Sequence, residues 1–333
     1  MTPHEGFMRA ALSLAKKGLG LTSPNPSVGA VVVKSGKVIA RGYHKKAGLP
    51  HAEVEALRSA KGAKGATLYV TLEPCCHFGR TPPCTDAIIR SGVRKVVIGA
   101  NDPNPKVAGK GIRKLRSAGI EVTTGVLEAG CRAINEGYNK YIRTGLPFVT
   151  LKLASSLDGR IATSKGESKW ITGTEARRLV HRIRSLNDAI MAGSGTVLKD
   201  DPGLTVRLVK GKNPVRIILD STLQVPLSAK VFKGGGRLIV FTTRKAGKGK
   251  IEEARKLGAE VIVAPASKDG VDIRFVLKEL GKREVTSVLA EGGGRLAASL
   301  LKEGLIDKAV IFLSPIFLGG DSLPSVGGLN IGR

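Results

Sequence analysis

The stretch ATLYVTLEPCCHFGRTPPCTDAI (66–88) runs from an apolar, β-branched segment that reads as a strand, through a proline-rich loop, into the start of a helix. Three of the chain's four cysteines fall in that loop: Cys75 and Cys76 side by side, then Cys84. Cys75 follows Pro74 at the strand's end, and Cys84 follows Pro82-Pro83 and leads into the helix TDAIIRSG (85–92). Helix amino termini favour negative charge, and so the thiolate that a metal binds. Upstream, PHAEVEAL (50–57) sets His51 and Glu53 at the opening of another predicted helix. Residues two apart in a regular helix point ~200° away from each other. Both can serve one site only if His51 sits at the very start, a placement that Pro50 suits.

One imidazole and two thiolates form an N/S donor set of the kind zinc prefers. A water would take the fourth position, with Glu53 able to shuttle its proton. H-x-E followed by P-C-x-x-C is the layout of the zinc deaminases. Here the first half is intact but the cysteines are spaced C-x8-C, so by spacing alone Cys76 or His77 stands as an alternative to Cys75. A purely structural zinc knot is the competing reading. Glu53 and the absence of a clear fourth protein ligand weigh against it.

Outward from this loop, strand and helix signals alternate. GFMRAALSLAKKGLG (6–20) has helical periodicity, and GAVVVKSGKVIARGYH (29–44) reads as a hairpin turning at Ser35-Gly36. AEVEALRSA (52–60) is helical, KVVIGAND (95–102) a strand, and GIRKLRSAGIEVTTGVL (111–127) a helix and a strand. This is a three-layer α/β pattern. RTGLPFVTLKLA (143–154) restarts the chain with a turn and a new strand, which divides it into domains 1–145 and 146–333. The second half alternates again: TEARRLVHRIRSLND (174–188) as helix, AIMAGSGTVL (189–198) as strand and loop, and PVRIILD (214–220) and RLIVFTT (237–243) as strands. IEEARKLG (251–258) follows as helix and AEVIVAP (259–265) as strand, with further elements to IFLSPIF (311–317). GGGRLAASLL (292–301) follows the strand TSVLAE (286–291) and begins a helix, a place where backbone amides can hold phosphate.

The 333 residues are 42% hydrophobic and 24% charged, as in a soluble globular protein. No apolar run approaches the ~20 residues that span a bilayer, and MTPHEGFMRA (1–10) lacks a secretory layout. The expected compartment is the cytoplasm, where thiols stay reduced. The formal net charge of +27 raises a nucleic-acid partner. Yet 23 Lys and Arg against 9 Asp and Glu in residues 1–145, and 31 against 18 in the rest, spread the excess evenly. A solvated surface, or attraction of a phosphorylated substrate, accounts for it better than a nucleic-acid arm.

These motifs together resemble the bifunctional riboflavin-biosynthesis deaminase–reductases. PNPSVGAVVV (24–33), GYH (42–44), HAEVEAL (51–57), the 66–88 stretch and DPNPKVAGKG (102–111) carry the likeness in the first half. LKLASSLDGRIAT (151–163), GESKWITG (166–173), AGSGTVLKDDPGLTVR (192–207), ILDS (218–221) and AEGGGRLAASLL (290–301) carry it in the second. The resemblance implies a cytidine-deaminase-like domain followed by a dihydrofolate-reductase-like α/β domain. It implies Zn2+ and NADPH as cofactors, and two reactions on a ribosylaminopyrimidine phosphate. In the first, the 2-amino group is hydrolysed to a carbonyl with release of ammonia; in the second, the opened ribose is reduced to a ribityl chain.

By the same resemblance the zinc ligands are His51, Cys75 and Cys84, with Glu53 as proton shuttle. Asn25 reads either as a hydrogen-bond partner of the pyrimidine or as a turn residue between two prolines, and Arg80, inside the cysteine loop, either as a cation gripping the ribose phosphate or as a surface arginine. NADPH meets Ala154, Trp170, Thr196, Asp200, Ser221 and the run Gly293, Gly294, Arg295, Leu296, Ala297, Ala298 and Ser299. The substrate meets Ser168, Arg184, Leu204, Arg207 and Glu291, the arginines serving as phosphate clamps. Cys131 reads as an ordinary buried thiol. The partner is a phosphorylated pyrimidine, with no nucleic acid and no membrane, and the family favours homo-oligomers. The family pattern continues past SVGGLNIGR (325–333) into further strands of the reductase sheet. The rival is an RNA-editing deaminase with a basic second domain, against which the cysteine spacing and the SSLDGR and GESKWITG segments speak.

Overall fold

Thr2 opens the chain with a reciprocal cap: its hydroxyl accepts from the Glu5 amide, and the Glu5 carboxylate accepts from the Thr2 amide. The computed structural model describes residues 2–167 and 173–329. The capped segment is helix α1 (Pro3–Ala15). Ser35 and Gly36 both adopt positive φ, 48° and 73°, as a tight two-residue hairpin turn requires. They join β1 (Gly29–Lys34) to β2 (Lys37–Tyr43) in antiparallel register. Then come α2 (Ala52–Ser59), β3 (Thr67–Leu72), α3 (Cys84–Ser91), β4 (Lys95–Ala100), α4 (Lys110–Ser117), β5 (Glu121–Thr123), α5 (Glu128–Ala133) and α6 (Glu136–Thr144).

The first sheet has the order β2-β1-β3-β4-β5; β1 runs antiparallel to β2 and β3, while β3, β4 and β5 are parallel. Register assigns the helices to its faces. Gly29 lies against the Ala11 carbonyl of α1, and Gly99, on the same face, lies against Cys131 of α5. Gly42 faces the other way, against the backbone of α2. Three layers result, with Val31, Val70 and Ile98 among the fully buried side chains between them. The helices α5 and α6 stand where the sequence reading assigned no element, because Gly130, Gly137 and two asparagines dilute their helical signal.

The chain divides into compact units Met1–Gly145 and Leu146–Arg333. The second contains β6 (Phe148–Ser156), β7 (Arg160–Ala162), α7 (Thr174–Leu186), β8 (Ala189–Gly193), α8 (Ser194–Asp200), β9 (Val215–Leu219), α9 (Lys230–Lys233) and β10 (Leu238–Thr242). It continues with α10 (Lys248–Lys256), β11 (Glu260–Val263), β12 (Ala266–Ser267), β13 (Gly270–Val271), α11 (Ile273–Lys282), β14 (Ser287–Glu291), α12 (Gly294–Lys302), β15 (Lys308–Ser314) and β16 (Leu323–Pro324). Seven of these strands form one parallel sheet, β11-β10-β9-β8-β14-β6-β15. Helices cover both faces of such a sheet, so its inner strands read as unbroken apolar runs such as IIL and LIVF. Phe241 and Met191 anchor one face, and Ile190 and Ile218 the other.

The end of AIMAGSGTVL (189–198), which reads as a loop in the sequence, lies in the helix α8. Buried Val197 anchors it, and Asp201 ends it with φ 40°. No described helix is long and apolar enough to cross a membrane.

A Cβ at position 42 would lie 2.3 Å from the Ala52 carbonyl oxygen and 2.4 Å from the Ala56 nitrogen. Both are backbone atoms of α2 that cannot swing aside. Gly42→Ala is therefore expected to cost ~1–3 kcal/mol in denaturant unfolding. Because α2 also carries Glu53 and follows directly from His51, zinc content by atomic absorption should fall with stability.

Candidate active sites

His51 is the residue immediately before α2, in an extended conformation (φ −74°, ψ 166°). It therefore lies outside the helical spiral that would have turned it away from Glu53. Its Nδ1 stands 3.2 Å from Cys84 Sγ and 3.6 Å from Cys75 Sγ. Nε2 is engaged by the Thr81 hydroxyl at 3.2 Å, which leaves Nδ1 as the nitrogen aimed at the sulfurs. Cys75 leaves the end of β3, and Cys84, the first residue of α3, donates its backbone N–H to Cys75 Sγ at 3.3 Å. The donor atoms of His51, Cys75 and Cys84 all lie within 4.8 Å of one another. Cys76 turns away, with Sγ 3.8 Å from the Lys106 carbonyl.

Electrostatics favours metal binding. A hydrogen bond from Cys84 is the largest influence pulling the Cys75 thiol down to about 4, with His51 and the Cys84 backbone N–H adding to it. The shared proton stays on Cys84, which the Cys75 thiolate and burial push up. Glu53 is buried, and burial raises its carboxyl to about 7 against the opposing pull of His51. One imidazole and two sulfurs at this spacing fit zinc, and Glu53 stands beside them as an acid–base group.

Asn25 reaches this region through His44. The Asn25 amide nitrogen donates to His44 Nε2 at 3.2 Å, while His44 Nδ1 donates to the Pro50 carbonyl at 3.1 Å. Burial lowers the His44 pKa, so the neutral ring that this bonding pattern needs is the stable one. The His44 ring meets His51 edge-on, with centroids 5.0 Å apart. Arg80 is exposed on the loop between Cys75 and Cys84. His77 Nδ1, in the same loop, is buried without a hydrogen-bond partner among the described residues.

Sequence reasoning assigned no role to His44, Glu73 or Asp102. Buried Glu73 accepts from the amides of Asp102, Gly109 and Ile112 at 3.0–3.3 Å and so fixes the loop entering α4. Burial raises Asp102 to about 6, and Tyr138 donates to it at 2.9 Å. The signal was present as carboxylates adjacent to prolines in LEP and NDP. Without coordinates they read as turn residues.

In the second unit the expected residues gather at the carboxyl ends of the parallel strands, where ligands bind such sheets. Ala154 lies in β6, Ser221 follows β9, and Gly293 follows β14. Thr196 in α8 accepts the Gly293 N–H on its hydroxyl at 3.1 Å. Of the run 293–299, Leu296, Ala297 and Ala298 are buried in the core, whereas Arg295 is exposed. A side chain on Gly294 would collide with the 324–327 backbone, which lies over the start of α12. A glycine-rich turn into a helix fits the phosphates of a dinucleotide. Asp200 is exposed at the end of α8. Ser168 and Trp170 lie outside the described residues.

Glu291 ends β14, buried, in a two-pronged pair with Arg184: Nε to Oε1 at 2.7 Å and Nη2 to Oε2 at 2.8 Å. Burial pushes Glu291 up, but the Arg184 pair outweighs it and holds the carboxylate below its ordinary range. Arg184 Nη1 also donates to the Thr205 carbonyl at 3.1 Å. Arg184 is thus the counter-ion of Glu291, a more compensated cation than a phosphate clamp would be. Arg207 is exposed, its Nη1 donates to Thr205 Oγ1, and its backbone N–H donates to His181. Leu204 is fully buried with φ 50°, a left-handed conformation rare for a branched residue. Lys152 pairs in register with Glu291, and burial lowers its pKa. Sequence reasoning passed over it as one lysine among many.

A model of the cytidine and deoxycytidylate deaminase zinc-binding region matches residues 1–100, and one of the RibD C-terminal domain matches residues 147–332. The chain is 51% identical to the riboflavin biosynthesis protein RibD of Aquifex aeolicus, over 98% of this chain and 90% of that protein. Acinetobacter baumannii RibD superposes with a TM-score of 0.88 at 42% identity, covering 98% of this chain and 90% of that one. A Thermotoga maritima structure, described as a diaminohydroxyphosphoribosylaminopyrimidine deaminase/5-amino-6-(5-phosphoribosylamino)uracil reductase, gives 0.88 at 43% identity, covering 99% and 93%. The first unit is cytidine-deaminase-like and the second dihydrofolate-reductase-like.

The geometry separates two adjacent cysteines. Cys75→Ser is expected to abolish zinc retention and lower the melting temperature, since metal binding and folding are linked. Cys76→Ser should keep about one zinc per chain by mass spectrometry under native conditions. The opposite pattern would move the site by one residue.

Proposed function

We propose a division of chemical labour for this chain on one premise: it belongs to the RibD family, the bifunctional deaminase–reductases of riboflavin biosynthesis. We assign deamination to residues 1–145 and reduction to residues 146–333. The substrate is the diaminopyrimidine ribosyl phosphate implied by the description of the Thermotoga relative. The observation that carries the reading is Glu53, buried against the converging donors His51, Cys75 and Cys84.

In the first unit His51 Nδ1 and the two sulfurs hold zinc, which when bound supplies the acidity that makes water nucleophilic near neutral pH. Glu53 accepts the water proton and returns it to the departing amine. A carboxyl raised to about 7 by burial is matched to both transfers. Asn25, held by His44, presents its amide to the pyrimidine ring, and Arg80 meets the ribose phosphate. Hydrolysis leaves a carbonyl at position 2 of the ring and releases ammonia.

In the second unit Ala154, Trp170, Thr196, Asp200, Ser221 and the turn Gly293–Ser299 hold NADPH, which when bound supplies the hydride. Ser168, Leu204, Arg207 and the Arg184–Glu291 pair orient the opened ribose. Glu291, kept ionised by Arg184, is an acceptor for sugar hydroxyls. The near full-length likeness to RibD proteins supports this reading over RNA editing.

We place the chain in the cytoplasm, because its zinc site requires reduced cysteines. We also read it as a homo-oligomer.

Two measurements test this division. Glu53→Gln should retain zinc while ammonia release falls by roughly 10²-fold or more; loss of zinc would make Glu53 a ligand. Mild chelation should stop ammonia release from the diaminopyrimidine substrate yet leave NADPH oxidation intact when the deaminated pyrimidine is supplied. Loss of both activities in protein that stays folded would contradict two separate sites.

A further inference from the structure

From Ser221 to Ile251 the chain carries seven Lys and Arg and no Asp or Glu. Lys230 and Arg237 pair with Asp201 and Glu260. Arg244 and Lys245 are exposed at the carboxyl end of β10 and have no ion-pair partner among the described residues. A solvated basic face is the ordinary account of such residues. Their placement argues for more.

Buried Thr242 and Thr243 tie this corner to the end of β9. The Thr243 N–H, the Thr243 hydroxyl and the Thr242 hydroxyl all donate to the Ser221 carbonyl, at 3.2, 2.7 and 3.3 Å. Thr243 Oγ1 in turn accepts the Lys245 N–H at 3.2 Å. The backbone bearing Arg244 and Lys245 is thereby held beside Ser221 by side chains that are 0% and 2% exposed. A loop that merely displays charge to water needs no such anchoring.

The order of strands supplies the direction. The residues assigned above to the cofactor lie along the ends of four adjacent strands: Ala154 at β6, Gly293 after β14, Thr196 after β8 and Ser221 after β9. At ~4.8 Å per strand the row spans roughly 14 Å, a reach that requires an extended dinucleotide. On the reductase reading above, its reacting end lies by the Arg184–Glu291 pair at the end of β14, which orients the opened ribose. The adenosine half must then fall at β9, and the next strand in the row is β10. At that end a cofactor carrying a 2′-phosphate differs from one without it by a dianion, which suits a forked guanidinium beside an ammonium.

We propose that Arg244 and Lys245 form the 2′-phosphate subsite through which this reductase selects NADPH over NADH. The proposal rests on the reductase reading above and adds residues that neither the motifs nor the resemblance marked.

The test uses the full-length protein with adenosine 2′,5′-bisphosphate and 5′-ADP as probes in titration calorimetry, so that it does not depend on turnover. Arg244→Ala and Lys245→Ala should each weaken the 2′,5′-bisphosphate about 10- to 100-fold and leave 5′-ADP unchanged. KM for NADPH should rise by the same factor, with kcat at saturation and KM for NADH unaltered. Lys256→Ala, which removes an equal charge from the far end of α10, should change none of these. The proposal is overturned if both variants keep wild-type affinity for the 2′,5′-bisphosphate, or if both probes weaken equally. If the unaltered protein binds neither NADPH nor the bisphosphate, the reductase reading fails, and the proposal fails with it.

Discussion

A helix turns each successive side chain by about 100°, so residues two apart cannot converge on one point. His51 and Glu53 converge because the chain becomes helical only after His51. That one backbone transition brings an imidazole, a carboxyl and, from the adjacent strand end and helix start, two thiols into one buried corner. Much of the surrounding structure secures it. Gly42 lets α2 lie directly on β2, and Glu73 ties the loop after β4 by three backbone amides. His44 joins Asn25 to the Pro50 carbonyl immediately before His51.

The two units treat buried carboxylates in opposite ways. Among the described residues no cationic side chain is hydrogen-bonded to Glu53, so burial dominates over the pull of His51 and the carboxyl is raised to about 7. Glu291 is equally enclosed but shares two hydrogen bonds with Arg184, and its charge persists. An acid–base catalyst must exchange a proton at working pH, whereas a positioning anion must not. The difference arises from one neighbour and not from the residue type.

In the parallel sheet of the second unit, every strand delivers its following loop to the same edge. Residues far apart in the chain, from Ala154 to Gly293, therefore meet without any one of them being conspicuous. Ties such as Thr196 to Gly293, and Thr243 to Ser221, convert neighbouring loop ends into fixed geometry. A long, multiply charged cofactor can be read along such an edge, each strand end meeting a different part of it.

The amino-acid sequence by itself determined the alternation of elements, the hairpin at Ser35-Gly36, the H-x-E and cysteine loop, and the motifs that tie both halves to one family. All are local patterns: apolar period, turn residues, and short spacings between donors. Spacing alone could not decide between Cys75, Cys76 and His77, because adjacent residues in a loop have no predetermined direction; the family resemblance pointed to Cys75, and the geometry brings its Sγ to His51 and Cys84. Nor did the sequence mark α5, α6 and α8, whose helices depend on buried contacts such as Cys131 and Val197 more than on propensity. His44, Glu73, Lys152 and the Arg184–Glu291 pair emerged only from the tertiary structure. Arg184 and Glu291 are 107 residues apart, and a bond across that distance exists only once strand order and register have brought the two ends together.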